Sequence, residues 1–98
     1  MAQHDILYPG EKLSVGQSPT SVVTADLNGD GLRDLAVSNF GDNSVSLLWG
    51  VEGGGFSPEV RINVGEHPNA VIAADLNGDG HLDLATSNYG SSDVSVLL

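Results

Sequence analysis

Aspartate and asparagine are concentrated in two short stretches of this chain, with the spacing of oxygen ligands around a metal ion. The first stretch places oxygen-bearing side chains at loop positions 1, 3, 5 and 9, namely Asp26, Asn28, Asp30 and Asp34. Calcium takes six to eight oxygens, and alternate residues of a tight loop can direct their oxygens to a common centre. Gly31 at the sixth position permits the sharp turn, and the main-chain carbonyl of Leu32 is a further predicted ligand.

The second stretch repeats this pattern 49 positions later, with the side chains of Asp75, Asn77, Asp79 and Asp83 and the carbonyl of His81 as its predicted ligands. The twelfth positions, Val37 and Thr86, are not acidic, which excludes an EF-hand. Tight hairpin turns with solvated carboxylates are the alternative. Turns explain the glycines, but they do not explain three aspartates and an asparagine in nine residues, found twice. The sequence therefore predicts two Ca²⁺ sites.

The same spacing of 49 relates most of the chain to itself, so that the 98 residues divide into repeats 1–49 and 50–98. Each repeat contains short β-branched and apolar runs bounded by Pro, Asn and Gly. Between residues 21 and 64 these runs predict strands A (21–26), B (34–39), C (44–49) and D (56–64). No window of the sequence has a helical period. Four antiparallel strands per repeat of this length indicate an all-β chain of two propeller blades.

The two blades are predicted to be circularly permuted. The second repeat supplies the outer strand of blade 1 and then strands A to C of blade 2, the last of which is 93–98. The segment that aligns with strand D is 6–15, so residues 1–15 are expected to complete a blade of a neighbouring chain, before strands A to C of blade 1. We therefore expect a head-to-tail homo-oligomer that closes into a propeller ring. A trimer with six blades is favoured, and a tetramer or a two-ring assembly is the alternative.

Charge and composition exclude several partners and activities. Thirteen acidic residues against three basic ones give a net charge of −10, which disfavours nucleic-acid binding. There is no apolar run of membrane-spanning length, and the first residues lack the pattern of a signal peptide. The three histidines form no recognisable pair with a nucleophile, and metal binding accounts for the loop carboxylates. We therefore expect a protein that is not an enzyme.

The run Ala-Asp-Leu-Asn-Gly-Asp-Gly-x-x-Asp-Leu-Ala, followed by Asn-(Phe/Tyr)-Gly and Val-Ser, resembles the FG-GAP/VCBS repeat of integrin-α-like propellers. The resemblance covers both repeats. It implies calcium in the loops between strands A and B, at 26–34 and 75–83, and an extracellular or cell-surface location. The family includes fungal lectins of the Psathyrella velutina type, which bind N-acetylated sugars between blades. Family rings usually hold seven blades in one chain, whereas this chain carries two.

The opposite rim of the predicted blades collects amides, a histidine and two aromatic rings, the kinds of group that contact sugars. The candidate ligand-binding residues are Asn39, Phe40, His67, Asn69, Asn88 and Tyr89. The alternative is that these are ordinary turn residues and that the rings fill the core between blades. Two functions follow: a calcium-binding lectin-like module that recognises carbohydrate, or a calcium-stabilised structural or protein-adhesion module without sugar binding.

Overall fold

The structure, a computed structural model, describes residues 12–98. This part of the chain contains seven β-strands and no helix: β1 (Pro19–Ala25), β2 (Asp34–Asn39), β3 (Ser44–Leu48), β4 (Val60–Asn63), β5 (Pro68–Ala74), β6 (Asp83–Asn88) and β7 (Asp93–Leu97). Accordingly, no helix within these residues is long and apolar enough to span a bilayer.

The strands form two antiparallel sheets, one of four strands in the order β1-β2-β3-β4 and one of three in the order β5-β6-β7. The prediction of an all-β chain with sequential antiparallel strands is confirmed. The predicted strand D over 56–64 is shorter than expected, because only Val60–Asn63 pairs with β3. Pro58 has no N–H to donate to a ladder, and Phe56 makes only an isolated bridge to Gly50. Of the predicted strand 6–15, residues 6–11 lie outside the described residues and 12–15 have no regular secondary structure.

The backbones of the two repeats match closely. Val23 pairs with Ala36 in the first sheet as Ile72 pairs with Ala85 in the second. The register also shifts at the start of both β1 and β5, directly after the proline that opens each strand. The repeated sequence therefore specifies a repeated register.

A small apolar core holds the two sheets together. Ala36, Val45 and Leu47 of the first sheet form one buried cluster with Val71 and Leu84 of the second. Strand β5 lies against both β1 and β2, so the second sheet stacks on one face of the first. Burial of each such valine or leucine contributes about 1.5–3 kcal/mol. Leu27, in the connection between β1 and β2, packs against this cluster.

Candidate metal centre

The loop between β1 and β2 is folded around the carboxylate of Asp26. Its Oδ1 accepts hydrogen bonds from the N–H groups of Gly29 (2.8 Å) and Asp30 (3.2 Å). Its Oδ2 accepts one from the N–H of Gly31 at 2.8 Å. Gly31 has a φ of 84°, in the left-handed region that costs a residue with a Cβ more than it costs glycine. The hydrogen bond from Gly31 has the largest effect, and together these bonds lower the pKa of Asp26 below its usual value. The Asp26 carboxylate is therefore anionic at neutral pH.

The carboxylate of Asp34 is fixed at the first residue of β2, where its side chain is buried. Its Oδ2 accepts from the N–H of Leu27 and its Oδ1 from the N–H of Gly50, both at 2.8 Å. One carboxylate oxygen from each of Asp26, Asp30 and Asp34 lies within 4.8 Å of the others. Three like charges at this spacing repel each other, and a divalent cation among them would remove that repulsion.

The loop between β5 and β6 builds the same cluster from Asp75, Asp79 and Asp83, whose oxygens also lie within 4.8 Å of each other. The N–H of Gly80 donates to Asp75 Oδ2 at 2.9 Å, as Gly31 does to Asp26. The N–H of His81 donates to Asp79 Oδ1 at 2.9 Å and is the main cause of a lowered pKa for Asp79. Each cluster combines two accessible or half-buried carboxylates with one buried one.

The other predicted ligands lie in the same loops. Asn28 and Asn77 are exposed, and Asn77 Oδ1 accepts weakly from the N–H of Asp79 at 3.4 Å. Leu32 donates its N–H to Asp30 at 2.9 Å, the counterpart of the bond from His81. The His81 imidazole is not one of the converging groups. The donor set is thus rich in oxygen and suits a hard cation such as Ca²⁺ rather than a transition metal.

At the opposite end of the sheets, Asn88 is buried within a polar network. Its Oδ1 accepts from the hydroxyl of Thr86 at 3.0 Å, and its Nδ2 donates to Asp93 Oδ1 (3.0 Å) and Ser95 Oγ (2.9 Å). Hydrogen bonds from Ser91 first, and from Asn88 second, lower the pKa of Asp93. The amide of Asn88 therefore joins β6 to β7, below the rim on which the sequence placed it as a sugar contact.

Asn39, the equivalent residue of the first sheet, is also fully buried. Its Nδ2 donates to Ser44 Oγ (3.1 Å) and Ser46 Oγ (2.8 Å), which joins β2 to β3. Its Oδ1 has no hydrogen-bond partner. The position that corresponds to Thr86 is Val37, which has no hydroxyl to donate. The structure therefore places Asn39, like Asn88, inside the sheet rather than at its surface.

Phe40, His67 and Tyr89 come together on this rim. The rings of Phe40 and His67 stack with centroids 4.5 Å apart and an interplanar angle of 22°, across the boundary between the two sheets. His67 Nδ1 lies 3.1 Å from the Phe40 carbonyl oxygen, and the His67 N–H donates to Asn43 Oδ1 at 2.8 Å. The Tyr89 N–H donates to the His67 carbonyl at 2.9 Å, while the Tyr89 ring is exposed, as is Asn69.

One group of charged residues on the first sheet was not predicted from the sequence. Arg61 on β4 makes an ion pair with Asp42 at 3.0 Å and a second one with Glu59. Glu59 raises the pKa of Arg61, and Arg61, followed by Ser46, lowers the pKa of Glu59. The signal was available, because Arg61 is one of only three basic residues and lies in a strand next to many acids.

Comparison with known proteins gives one positive result. The sequence model of a family described as FG-GAP-like repeat matches residues 26–86, which span both metal-type loops and more than half of the chain. No curated protein and no solved structure shows significant similarity to the chain.

Proposed function

The chain belongs to the FG-GAP-like repeat family, and from that membership we propose that it is a calcium-stabilised β-propeller module that recognises carbohydrate. The observation that carries the proposal is the pair of equivalent clusters, each of three carboxylates within 4.8 Å. Repeats of this family are often calcium-binding and occur in extracellular proteins, so we also propose an extracellular or cell-surface location. The proposal includes no enzymatic activity.

In the proposed sites, Asp26, Asp30 and Asp34 hold one Ca²⁺, and Asp75, Asp79 and Asp83 hold the other. The amides of Asn28 and Asn77 and the carbonyls of Leu32 and His81 lie in the same loops and complete the proposed oxygen set. The ion links the beginning of each loop to the first residue of β2 or β6. Two ions reduce the net charge from −10 to −6 and remove the repulsion within each cluster.

Thermal unfolding with calcium and with excess chelator tests the metal proposal. A ligand that binds only the folded state raises its stability as the ligand concentration exceeds Kd. We expect Tm to rise with calcium, to fall with chelator, and to lose much of this difference in Asp30→Ala and Asp79→Ala. Glu52→Ala removes an exposed acid outside both loops and should keep the full calcium response. Melting curves that do not change with chelator would refute the proposal.

We propose that carbohydrate binds on the rim that carries Phe40, His67 and Tyr89. An exposed aromatic ring beside polar groups matches the amphipathic faces of a sugar, and the exposed Tyr89 and Asn69 supply both kinds of group. The buried amides of Asn39 and Asn88 support this rim from below rather than from its surface. N-acetylated sugars are the class that the lectin resemblance favours.

A glycan array in millimolar calcium tests this part of the proposal. Binding should be lost in Tyr89→Ala, with an unchanged calcium response, and retained in the matched exposed substitution Val51→Ala. If no glycan binds to the assembled protein, the sugar proposal is wrong and the structural or protein-adhesion module is the remaining function.

The described residues contain two sheets, fewer than the roughly four to eight blades of a typical propeller ring. We propose a head-to-tail homo-oligomer, with three chains and six blades as the favoured ring and four chains or two linked rings as the alternatives. Light scattering measures the mass directly. A mass near three times 10.1 kDa supports the favoured ring, and a folded monomer at micromolar concentration would refute assembly.

A further inference from the structure

The second sheet exposes an apolar face whose counterpart in the first sheet is buried. Val94 and Val96 are 63% and 52% exposed, whereas the residues 49 positions earlier, Val45 and Leu47, are 0% and 7% exposed. Ile72 on the same face of the second sheet is 54% exposed. In the first sheet the equivalent face is covered, because it packs against the second sheet of the same chain. The second sheet thus carries the same kinds of apolar residue on this face as the first sheet does. Within residues 12–98, however, no neighbouring sheet covers them.

The opposite face of the first sheet shows the reverse situation. Val22 is 62% exposed, whereas its counterpart in the second sheet, Val71, is 4% exposed and belongs to the core between the sheets. Side chains alternate between the two faces of a strand, so Val22 lies on the face away from the second sheet. The described part of the chain therefore presents both halves of one sheet-to-sheet contact, on two different surfaces.

Residues before β1 lie against the first sheet as the end of β4 lies against the second. Leu13 lines one cavity with Leu48, and their counterparts Ile62 and Leu97 line another cavity together. The turn that follows is repeated as well. A Cβ on Gly16 would meet the Asn39 side chain at 2.7 Å, and a Cβ on the equivalent Gly65 would meet that of Asn88 at 2.5 Å. Residues 12–15 are thus placed where the outer strand of a preceding sheet would lie.

We propose that a second copy of this chain binds to the exposed face of the second sheet, with residues 12–15 of one copy paired along the free edge of β7 of the next. Within residues 12–98, β7 is an edge strand. It pairs with β6 along one edge, and its other edge pairs with no strand of this part of the chain. The register of β3 with β4 pairs Ser44 with Asn63 and Val45 with Ile62. Transferred by 49 positions, it pairs Asp93 with Ser14 and Val94 with Leu13 across the two copies. This inference rests on the proposed ring and specifies its contact.

Charge complementarity supports a second copy as the partner. The counterpart of Arg61 is Lys12, another of the three basic residues of the chain. In the proposed register Lys12 lies opposite Ser95 and diagonal to Asp93, on the face that carries the Asn88 network. Such diagonal neighbours are within reach of a long side chain. Lys12 would thus meet an anionic carboxylate, as Arg61 meets Asp42 at 3.0 Å within the first sheet. The contact is heterologous, so it can close a ring.

A designed disulfide tests the register, since the chain contains no cysteine. Oxidation of Ser14→Cys/Asp93→Cys should give covalent dimers and trimers on a non-reducing gel, in yields that persist after tenfold dilution. The intrachain pair Ser44→Cys/Asn63→Cys has the same register within the first sheet and shows whether this spacing permits a disulfide. Ser14→Cys/Val94→Cys shifts one thiol to the opposite face and should remain uncross-linked. Closure of the intrachain pair without any interchain product would overturn the proposal.

A charge on the exposed face gives a second, independent measurement. Ile72→Asp should reduce the mass measured by light scattering to that of one chain, whereas Val51→Asp, at an exposed valine in the β3–β4 connection, should leave the assembled mass unchanged. An assembled mass in Ile72→Asp would overturn the contact. Calcium-dependent melting of the same samples separates the two proposals. If Ile72→Asp loses assembly but keeps its calcium response, the contact is supported and the metal sites are intact. If Val51→Asp is assembled but its Tm does not respond to calcium, the metal proposal is wrong and the contact is unaffected.

Discussion

The surroundings of the two buried asparagines differ by one hydroxyl group. Two reciprocal substitutions at that position should therefore have unequal effects on the free energy of unfolding. Thr86 donates to Asn88 Oδ1 at 3.0 Å, and both side chains are buried. At the equivalent place Val37 has no hydroxyl, and Asn39 Oδ1 lacks a partner. We expect Thr86→Val to destabilise the chain and the reciprocal Val37→Thr to leave its stability nearly unchanged or slightly higher.

The magnitudes follow from opposing contributions to the free energy of unfolding. Thr86→Val leaves a buried carbonyl oxygen unsatisfied, at a cost of about 1–3 kcal/mol. The added methyl group returns about 0.8 kcal/mol of apolar burial, so the net loss is about 0.2–2 kcal/mol. In Val37→Thr, a new hydrogen bond contributes about 0.5–1.5 kcal/mol, and loss of the methyl group removes about 0.8 kcal/mol. The second substitution should therefore change stability by less than about 1 kcal/mol.

Thermal unfolding of both variants at one protein concentration and one calcium concentration measures this difference. For a chain of this size about 1 kcal/mol corresponds to roughly 4–8 °C in Tm, so Thr86→Val should lower Tm by roughly 1–16 °C. Fixed concentrations are needed because ligand binding and assembly both change the apparent stability. If Val37→Thr lowered Tm as much as Thr86→Val does, the missing hydroxyl would not be the origin of the unsatisfied oxygen, and the reasoning would be refuted.

Three further predictions concern other contacts. Because Arg61 holds the pKa of Glu59 below its ordinary value of 4.5, this pair should stabilise the fold above pH 4.5 and lose its effect as the pH falls through the folded-state pKa. Tm measured from pH 6 to pH 3 should therefore fall less steeply in Glu59→Gln than in the unchanged chain. Gly80→Ala meets no atom within 4 Å but keeps a φ of 86°, so it should cost about 1–2 kcal/mol in urea unfolding through backbone strain alone, and an unchanged midpoint would contradict this. Phe40→Ala removes the ring stacked on His67 at 4.5 Å and should destabilise the chain by at least about 0.5–1.5 kcal/mol in the same assay; a neutral result would mean that the stack contributes nothing.

Local chemistry made the loops and most strands predictable. Alternating aspartates and glycines around Asp26 and Asp75 specify a turn that collects carboxylates, because both the ligand spacing and the glycine conformations are properties of a few neighbouring residues. The β-branched runs after each loop specify strands for the same reason. The offset of 49 residues then predicted the second register from the first.

Burial of polar side chains could not be predicted in this way. Asn39 and Asn88 have the sequence context of exposed turn residues, yet their amides join neighbouring strands inside each sheet. Their role depends on Ser46 and Ser95, which are brought beside them by strand pairing rather than by proximity in sequence. The stack of Phe40 on His67 likewise arises only when one sheet lies against the other.

The sequence by itself determined the repeat, the strand content and the two acidic loops, because each depends on short-range periodicity and on the conformational preferences of single residues. Only the tertiary structure decided which equivalent positions are buried. Val45 and Val94 occupy the same place in their repeats, but one is enclosed by a neighbouring sheet and the other is exposed. Burial depends on which surface lies next to a residue, and two copies of one motif share their local sequence without sharing their neighbours.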